Sequence, residues 1–214
     1  METKKVIGFY DYTVVLTYLG MIFAFVGILK VLNGEYVNSM ICLMGAGICD
    51  MFDGTVASTK DRNCSEKHFG IQIDSLCDLI SFGVLPALFV YEITGRKLVV
   101  GVISCIYVLC GLIRLAYFNV QEFERQKMTE DRREEYLGVP ITTSAIILPL
   151  SYLIISGYEK AGGMLFPVVL VILGCGFISG VKIKKPKIAG KAIMVLFGIA
   201  EFMGLFLLSG VDIL

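Results

Sequence analysis

Four carboxylates in the stretch DMFDGTVASTKDRNCSEKHFGIQIDSLCD stand in two pairs, Asp50 with Asp53 and Asp74 with Asp78. Spacings of three and four place each pair on one helix face, about 5–6 Å apart between β-carbons. Each pair lies at the end of a long apolar run that reads as a membrane-spanning helix. Ionised carboxylates at the edge of hydrocarbon are costly and like charges this close repel, so a bound cation is the simplest compensation. Oxygen-only ligands favour a hard cation such as Mg²⁺ or Mn²⁺. Taken alone, the four acids leave three readings open. Basic neighbours could satisfy them, although such residues are scarce within these spans. An ion-conducting or ion-coupled transporter would also use intramembrane carboxylates. A metal-dependent phosphoryl-transfer enzyme is the third, with the metal neutralising phosphates and one acid acting as base.

The elements that must position these acids follow from composition. Of 214 residues, 56% are hydrophobic and 18% charged, and mean hydropathy is +0.77. That is a polytopic membrane protein, and the zero net charge gives no sign of a nucleic-acid partner. Spans are expected at roughly 12–32, 36–57, 70–92, 97–118, 140–157, 162–181 and 188–209, each near the length needed to cross hydrocarbon. The expected fold class is therefore all-α, a transmembrane bundle of about six to eight helices forming one integral-membrane domain over residues 1–214. The segment VIGFYDYTVV before the first span has aromatics suited to an interfacial belt.

The polar connections orient the bundle. With the N-terminus inside, the inner segments carry Lys4 and Lys5; Lys60, Arg62 and Lys67; Arg125, Lys127, Arg132 and Arg133; and Lys182, Lys184, Lys185, Lys187 and Lys191. The outer connections hold Arg96, Lys97 and Lys160. This bias puts all four aspartates on the cytoplasmic side of a cell membrane, and the KIKKPK run at 182–187 reads as an anchor to anionic lipid. The seven cysteines lie mostly in apolar runs without a CxxC pair and read as small buried hydrophobes. Glu201, in the last span, reads as a structural or interfacial group, and His68 as a solvated loop residue.

The 58–69 loop joins the two acid-bearing spans and is short enough to hold their ends side by side, so the 50–78 motif crosses the ends of the second and third spans. Gly54 and Gly70 flank the pairs, where a missing Cβ lets a ligand approach the backbone. The small residues Gly45, Ala46 and Gly47 read as helix-packing positions.

DMFDGTVAS, eleven residues, then GIQIDSLCD resembles the defining pattern of the CDP-alcohol phosphotransferase family, DxxDGxxAR, about eight residues, then GxxxDxxxD. All four aspartates, both glycines and Ala57 match. Ser58 stands where the pattern has arginine, and the loop to Gly70 is about three residues longer. Within the family, IDSLCDLISFGVLPA, LIRLAYFNVQ and YLGVPITTSA resemble segments of the integral-membrane branch that uses serine, in order over roughly residues 10–150.

The resemblance implies the family's fold and transfer of a phosphatidyl group from CDP-diacylglycerol to L-serine in a membrane lipid environment, with release of CMP. It implies one or two Mg²⁺ or Mn²⁺ ions held by Asp50, Asp53 and Asp74, with Asp78 near the metal and acting as general base. Gly54, Ala57, Ser58 and Gly70 would line the CDP pocket. Lys60, Arg62 or Lys67 could replace the cation missing at Ser58. Arg114 would snorkel to the surface or bind an anionic group, the substrate carboxylate or a lipid phosphate. Asn119 would be a helix-end cap or a polar substrate contact. The resemblance also implies a homodimer. The same chemistry with glycerol 3-phosphate or an inositol phosphate as acceptor is the nearest alternative, and a metal-ion transporter a more distant one. A route through a covalent phosphohistidine needs two histidines, and the chain has only His68.

Overall fold

A computed structural model describes residues 7–128, 135–155, 162–184 and 188–211. Among them run seven helices. These are α1 (Val15–Leu32), α2 (Tyr36–Ala57), α3 (Cys64–Ile93), α4 (Leu98–Met128), α5 (Ser144–Ile155), α6 (Gly162–Phe177) and α7 (Ile188–Val211). Strands β1 (Glu135–Leu137) and β2 (Lys182–Lys184) pair antiparallel, with Tyr136 opposite Ile183, as a short ribbon beside the helices. Four helical stretches are long and apolar enough to cross a membrane: Tyr12–Leu32, Tyr36–Ala57, Cys64–Ile93 and Leu98–Arg125. Helices satisfy their own backbone groups, which is the condition for lying in hydrocarbon. Lys4, Lys5, Arg132, Arg133, Lys160, Lys185 and Lys187 lie outside the described residues.

Two helices are longer than hydropathy suggests. The third starts at Cys64 rather than near 70 because Asn63 and Glu66 form a capping box. Asn63 Oδ1 accepts from the Glu66 amide at 2.8 Å, and Glu66 Oε2 accepts from the Asn63 amide at 2.9 Å. These polar residues satisfy the helix's free donors, so a stretch that reads as loop is its first turn. The fourth continues about ten residues past the expected 118, and on that extension Arg125 pairs with Glu122.

Packing is set by small residues. A β-carbon on Gly47 would lie 2.9 Å from Cβ of Ala145, and one on Gly45 would lie 3.2 Å from the Phe23 ring, so α2 meets α5 and α1 at close range. Away from the aspartates, Phe89 packs edge-on against Tyr36, Tyr152 and Phe166, with centroids 5.6–5.8 Å away. Glu201 lies within the bundle at 3% exposure, and neither of its carboxylate oxygens has a hydrogen-bond partner among the described residues.

Directly after Asp78, α3 widens into a π-helical stretch, Leu79–Val84, and then meets Pro86. Proline has no N–H to donate four residues back, which would leave the Phe82 carbonyl short of a partner. Tyr107 Oη of α4 donates to that oxygen at 2.7 Å, and Ser144 Oγ of α5 at 3.3 Å. The irregular turn thereby pins three helices together one turn below the second acid pair. In the link from β1 to α5, Gly138 takes φ +72°, and a β-carbon there would lie 2.8 Å from the carbonyl oxygens of Phe177 and Ser179. Only glycine fits both demands.

Candidate active site

Helices α2 and α3 bring the two acid pairs face to face. One carboxylate oxygen from each of Asp50, Asp74 and Asp78 lies within 4.8 Å of the other two. Asp53 lies against Asp74 and accepts from Thr17 Oγ1 of α1 at 3.4 Å. A small cleft opens beside them, walled by Thr17 and Gly20 of α1, Ala46 and Cys49 of α2, and Cys77 and Ser81 of α3. Among the described residues none of the four aspartates is in an ion pair, so basic neighbours do not balance them. Three converging oxygens of like charge in a bundle make a donor set that suits a hard divalent cation. Asp50, Asp74 and Asp78 are the residues that would hold one, with Asp53 alongside.

The glycines flank this centre differently. Gly54 is exposed, and a β-carbon there would meet nothing within 4 Å. Gly70 lies under Arg62, whose Nη1 would be 2.8 Å from an added β-carbon, and the charge of Arg62 reaches Asp53. Ala57 is the last residue of α2, and the Ser58 hydroxyl turns back to donate to the Thr55 carbonyl at 2.7 Å.

The loop between α2 and α3 is strapped from the N-terminal side. Lys60 Nζ contacts Asp11 Oδ2 at 2.8 Å and Glu66 Oε1 at 3.7 Å. Tyr12 and Thr59 hydroxyls hydrogen-bond at 3.2 Å, and the Phe9 and Phe69 rings lie 5.4 Å apart. The Lys60 ammonium holds the Asp11 carboxyl at about 2, well below the usual carboxylate range. The aromatic segment before α1 therefore covers the loop.

The remaining residues singled out in the sequence lie around this centre. Asn119 Oδ1 accepts from Ser75 Oγ at 2.9 Å, so α4 touches α3 next to Asp74. Arg114 is buried, and its Nη2 donates to the Gly138 carbonyl at 3.3 Å, fixing the segment that follows β1. His68 is on the first turns of α3 rather than in a loop, its ring 5.3 Å from that of Phe123. Thr17, which lies outside the motif, and Ser75, which lies within it between Asp74 and Asp78, also touch this centre. The sequence trace of Thr17 is no more than a hydroxyl in a spanning helix.

Residues 13–179 match the profile of the CDP-alcohol phosphatidyltransferase family. Curated relatives include the CDP-diacylglycerol–serine O-phosphatidyltransferase of Saccharomyces cerevisiae, 34% identical over 82% of this chain and 70% of that one. The protein of the same name from Helicobacter pylori is 32% identical over 83% of this chain and 79% of that one. The archaetidylserine synthase of Methanothermobacter thermautotrophicus is 30% identical over 72% of this chain and 62% of that one. The matched region runs from the Thr17 helix through both acid pairs to the ribbon end of α6, and with this extent the chain belongs to the CDP-alcohol phosphatidyltransferase family.

Proposed function

We propose that this chain is an integral-membrane enzyme that transfers the phosphatidyl group of CDP-diacylglycerol to the hydroxyl of L-serine. The products are CMP and phosphatidylserine. The convergence of the Asp50, Asp74 and Asp78 carboxylates beside the open face of Gly54 carries the chemistry. The serine acceptor is supported by the names of the yeast and Helicobacter relatives.

Asp50, Asp53, Asp74 and Asp78 would hold one or two Mg²⁺ or Mn²⁺ ions. Such an ion, when bound, draws negative charge from the phosphates and lowers the barrier to displacement. Asp78 takes the proton of the serine hydroxyl, and the hydroxyl oxygen forms a bond to the phosphorus that bears diacylglycerol. The bond from that phosphorus to the CMP oxygen breaks, and CMP leaves with the electron pair. Gly54, Ala57, Ser58 and Gly70 line the CDP pocket, with Gly54 letting the nucleotide approach the backbone. Arg114, Asn119, Lys60 and Arg62 are the candidate contacts for serine or for lipid phosphate, Arg62 being one for phosphate. Of these, Asn119 reaches the acid centre through Ser75, and Arg114 orders the 138–140 segment. Positioning and electrostatics carry most of the rate enhancement in a transfer of this kind.

The whole chain acts as one domain in the cell membrane, as a homodimer, with the aspartates at the cytoplasmic surface, where a water-soluble acceptor meets a membrane lipid. The test is CMP release by purified protein from CDP-diacylglycerol with Mn²⁺ or Mg²⁺ and a panel of L-serine, glycerol 3-phosphate, inositol 1-phosphate, inositol and choline. Serine-dependent CMP release with phosphatidylserine formed is the expected result. Turnover only with another alcohol would keep the site and replace the acceptor.

A further inference from the structure

We propose that Arg62 provides the cationic contact to the nucleotide pyrophosphate that Ser58 does not, and that Lys60 acts as its positioning residue through Asp11. The proposal rests on the reading of this centre as a CDP-lipid site.

Two cations, Lys60 and Arg62, lie in the α2–α3 connection, with Lys67 on α3, and the structure separates the two by what they touch. Lys60 is engaged by Asp11 and Glu66, at 2.8 and 3.7 Å. Arg62 makes no ion pair within 4 Å among the described residues, yet its charge reaches Asp53 and its guanidinium lies over Gly70. A half-buried guanidinium beside an acid centre, with its donors uncommitted to a carboxylate, suits a bidentate phosphate contact.

The chain around Arg62 is fixed on both sides. Two residues before it, Lys60 ties the loop to Asp11, and Thr59 bonds Tyr12. The residue after it, Asn63, is locked in the capping box of α3. Gly70 completes the arrangement, because a side chain there would press on Nη1 at 2.8 Å. The three extra loop residues thus have a physical consequence. They let an arginine reach back over Gly70 while position 58 carries a serine hydroxyl bonded to its own helix.

The test is calorimetric binding of CDP, with Mn²⁺ present, to full-length protein in detergent, together with the KM for each substrate. Arg62→Ala should weaken CDP binding about tenfold to a hundredfold, the usual effect of removing a hydrogen-bonding charged partner. The KM for CDP-diacylglycerol should rise in proportion, while the KM for serine stays unchanged. Ser58→Arg in the Arg62→Ala background should recover part of the lost affinity. Gly70→Ala keeps the arginine but displaces its guanidinium, and should also weaken CDP binding. It serves as the test if Arg62→Ala fails to fold. CDP binding within twofold of the wild type in Arg62→Ala, or in Gly70→Ala where that variant stands in, would overturn the proposal. CDP binding by the wild type without CMP release from any acceptor would overturn the functional reading alone. A wild type that binds no CDP would overturn both.

Discussion

Asp78 closes the regular part of α3, one residue before the π-helical stretch, and shares the tight oxygen cluster with Asp50 and Asp74. A base must keep its carboxylate within reach of the acceptor hydroxyl, and replacing the acid by its amide removes that capacity with little change of shape. Asp78→Asn should therefore lower turnover by about 10²–10⁴-fold, the range for a positioned general base, while calorimetric CDP binding persists. Full activity in this variant would remove the assignment. Gly54 gives a complementary case. Nothing in the protein opposes a β-carbon there, and alanine is the better helix residue, so Gly54→Ala should melt no lower than wild type. Its CDP affinity should nevertheless fall, because the new methyl enters the space assigned to the nucleotide. Unaltered affinity would place the nucleotide elsewhere. The aspartates were legible in the sequence because charge inside apolar runs is conspicuous and the three- and four-residue spacings define a face. Thr17 was not, since a single threonine in a spanning helix looks like any packing residue until α1 is seen to lay it against Asp53.

At the scale of elements, hydropathy located the seven helices of the described residues but misjudged polar ends. Residues 64–69 read as part of a polar loop, yet the Asn63–Glu66 box makes them helical. The β1–β2 ribbon joins three-residue strands that are far apart in the chain, so no local pattern announces it. Close packing was legible as Gly45-Ala46-Gly47, although its partners were not. Because a β-carbon on Gly47 meets that of Ala145 at 2.9 Å, Gly47→Ala should cost about 1–3 kcal/mol by overpacking. Adding Ala145→Gly should restore most of the thermal stability, and failure of that rescue would mean that α2 and α5 do not meet there. The N-terminal strap makes a prediction about pH. The Asp11 carboxyl is held at about 2 by Lys60, against about 3.9 when free, so its contribution is complete above pH ~4 and is lost as pH falls toward 2. Asp11 in turn raises the Lys60 ammonium, so that half contributes below about 10.4 and is lost only as pH rises past its raised value. Asp11→Asn keeps a side-chain oxygen to cap the turn at Tyr12 and removes the charge. It should weaken CDP binding by roughly two- to fivefold, as exposed ion pairs do. The ratio to wild type should stay flat from pH 5 to 9. A ratio that closes inside that window would mean that another group controls the loop.

The whole molecule sorts its chemistry by depth. All four aspartates, the strapped loop and the ribbon lie at one end of the bundle, while the opposite turns carry Lys30 paired with Glu35 at 2.7 Å and Arg96 paired with Glu92 at 2.8 Å. The aspartate end also carries Lys60, Arg62, Lys67 and Lys182, with Arg62 over Gly70. A positive-inside distribution predicts that this end faces the cytoplasm. Cys64 reports on it directly. It is exposed on the first turn of α3, whereas Cys49, Cys77 and Cys110 are buried, Cys42 is half-buried within α2, and Cys105 and Cys175, exposed on apolar helices, would face hydrocarbon in a spanning bundle. A membrane-impermeant maleimide should label the protein in inside-out vesicles and leave it unlabelled in sealed right-side-out ones, and Cys64→Ser should abolish the labelling. Bound CDP with Mn²⁺ should slow the reaction, because occupancy of the cleft steadies the loop that Asn63 caps onto the same helix. Labelling from the outer face would invert the topology and place serine on the other side of the membrane from the one this charge pattern predicts.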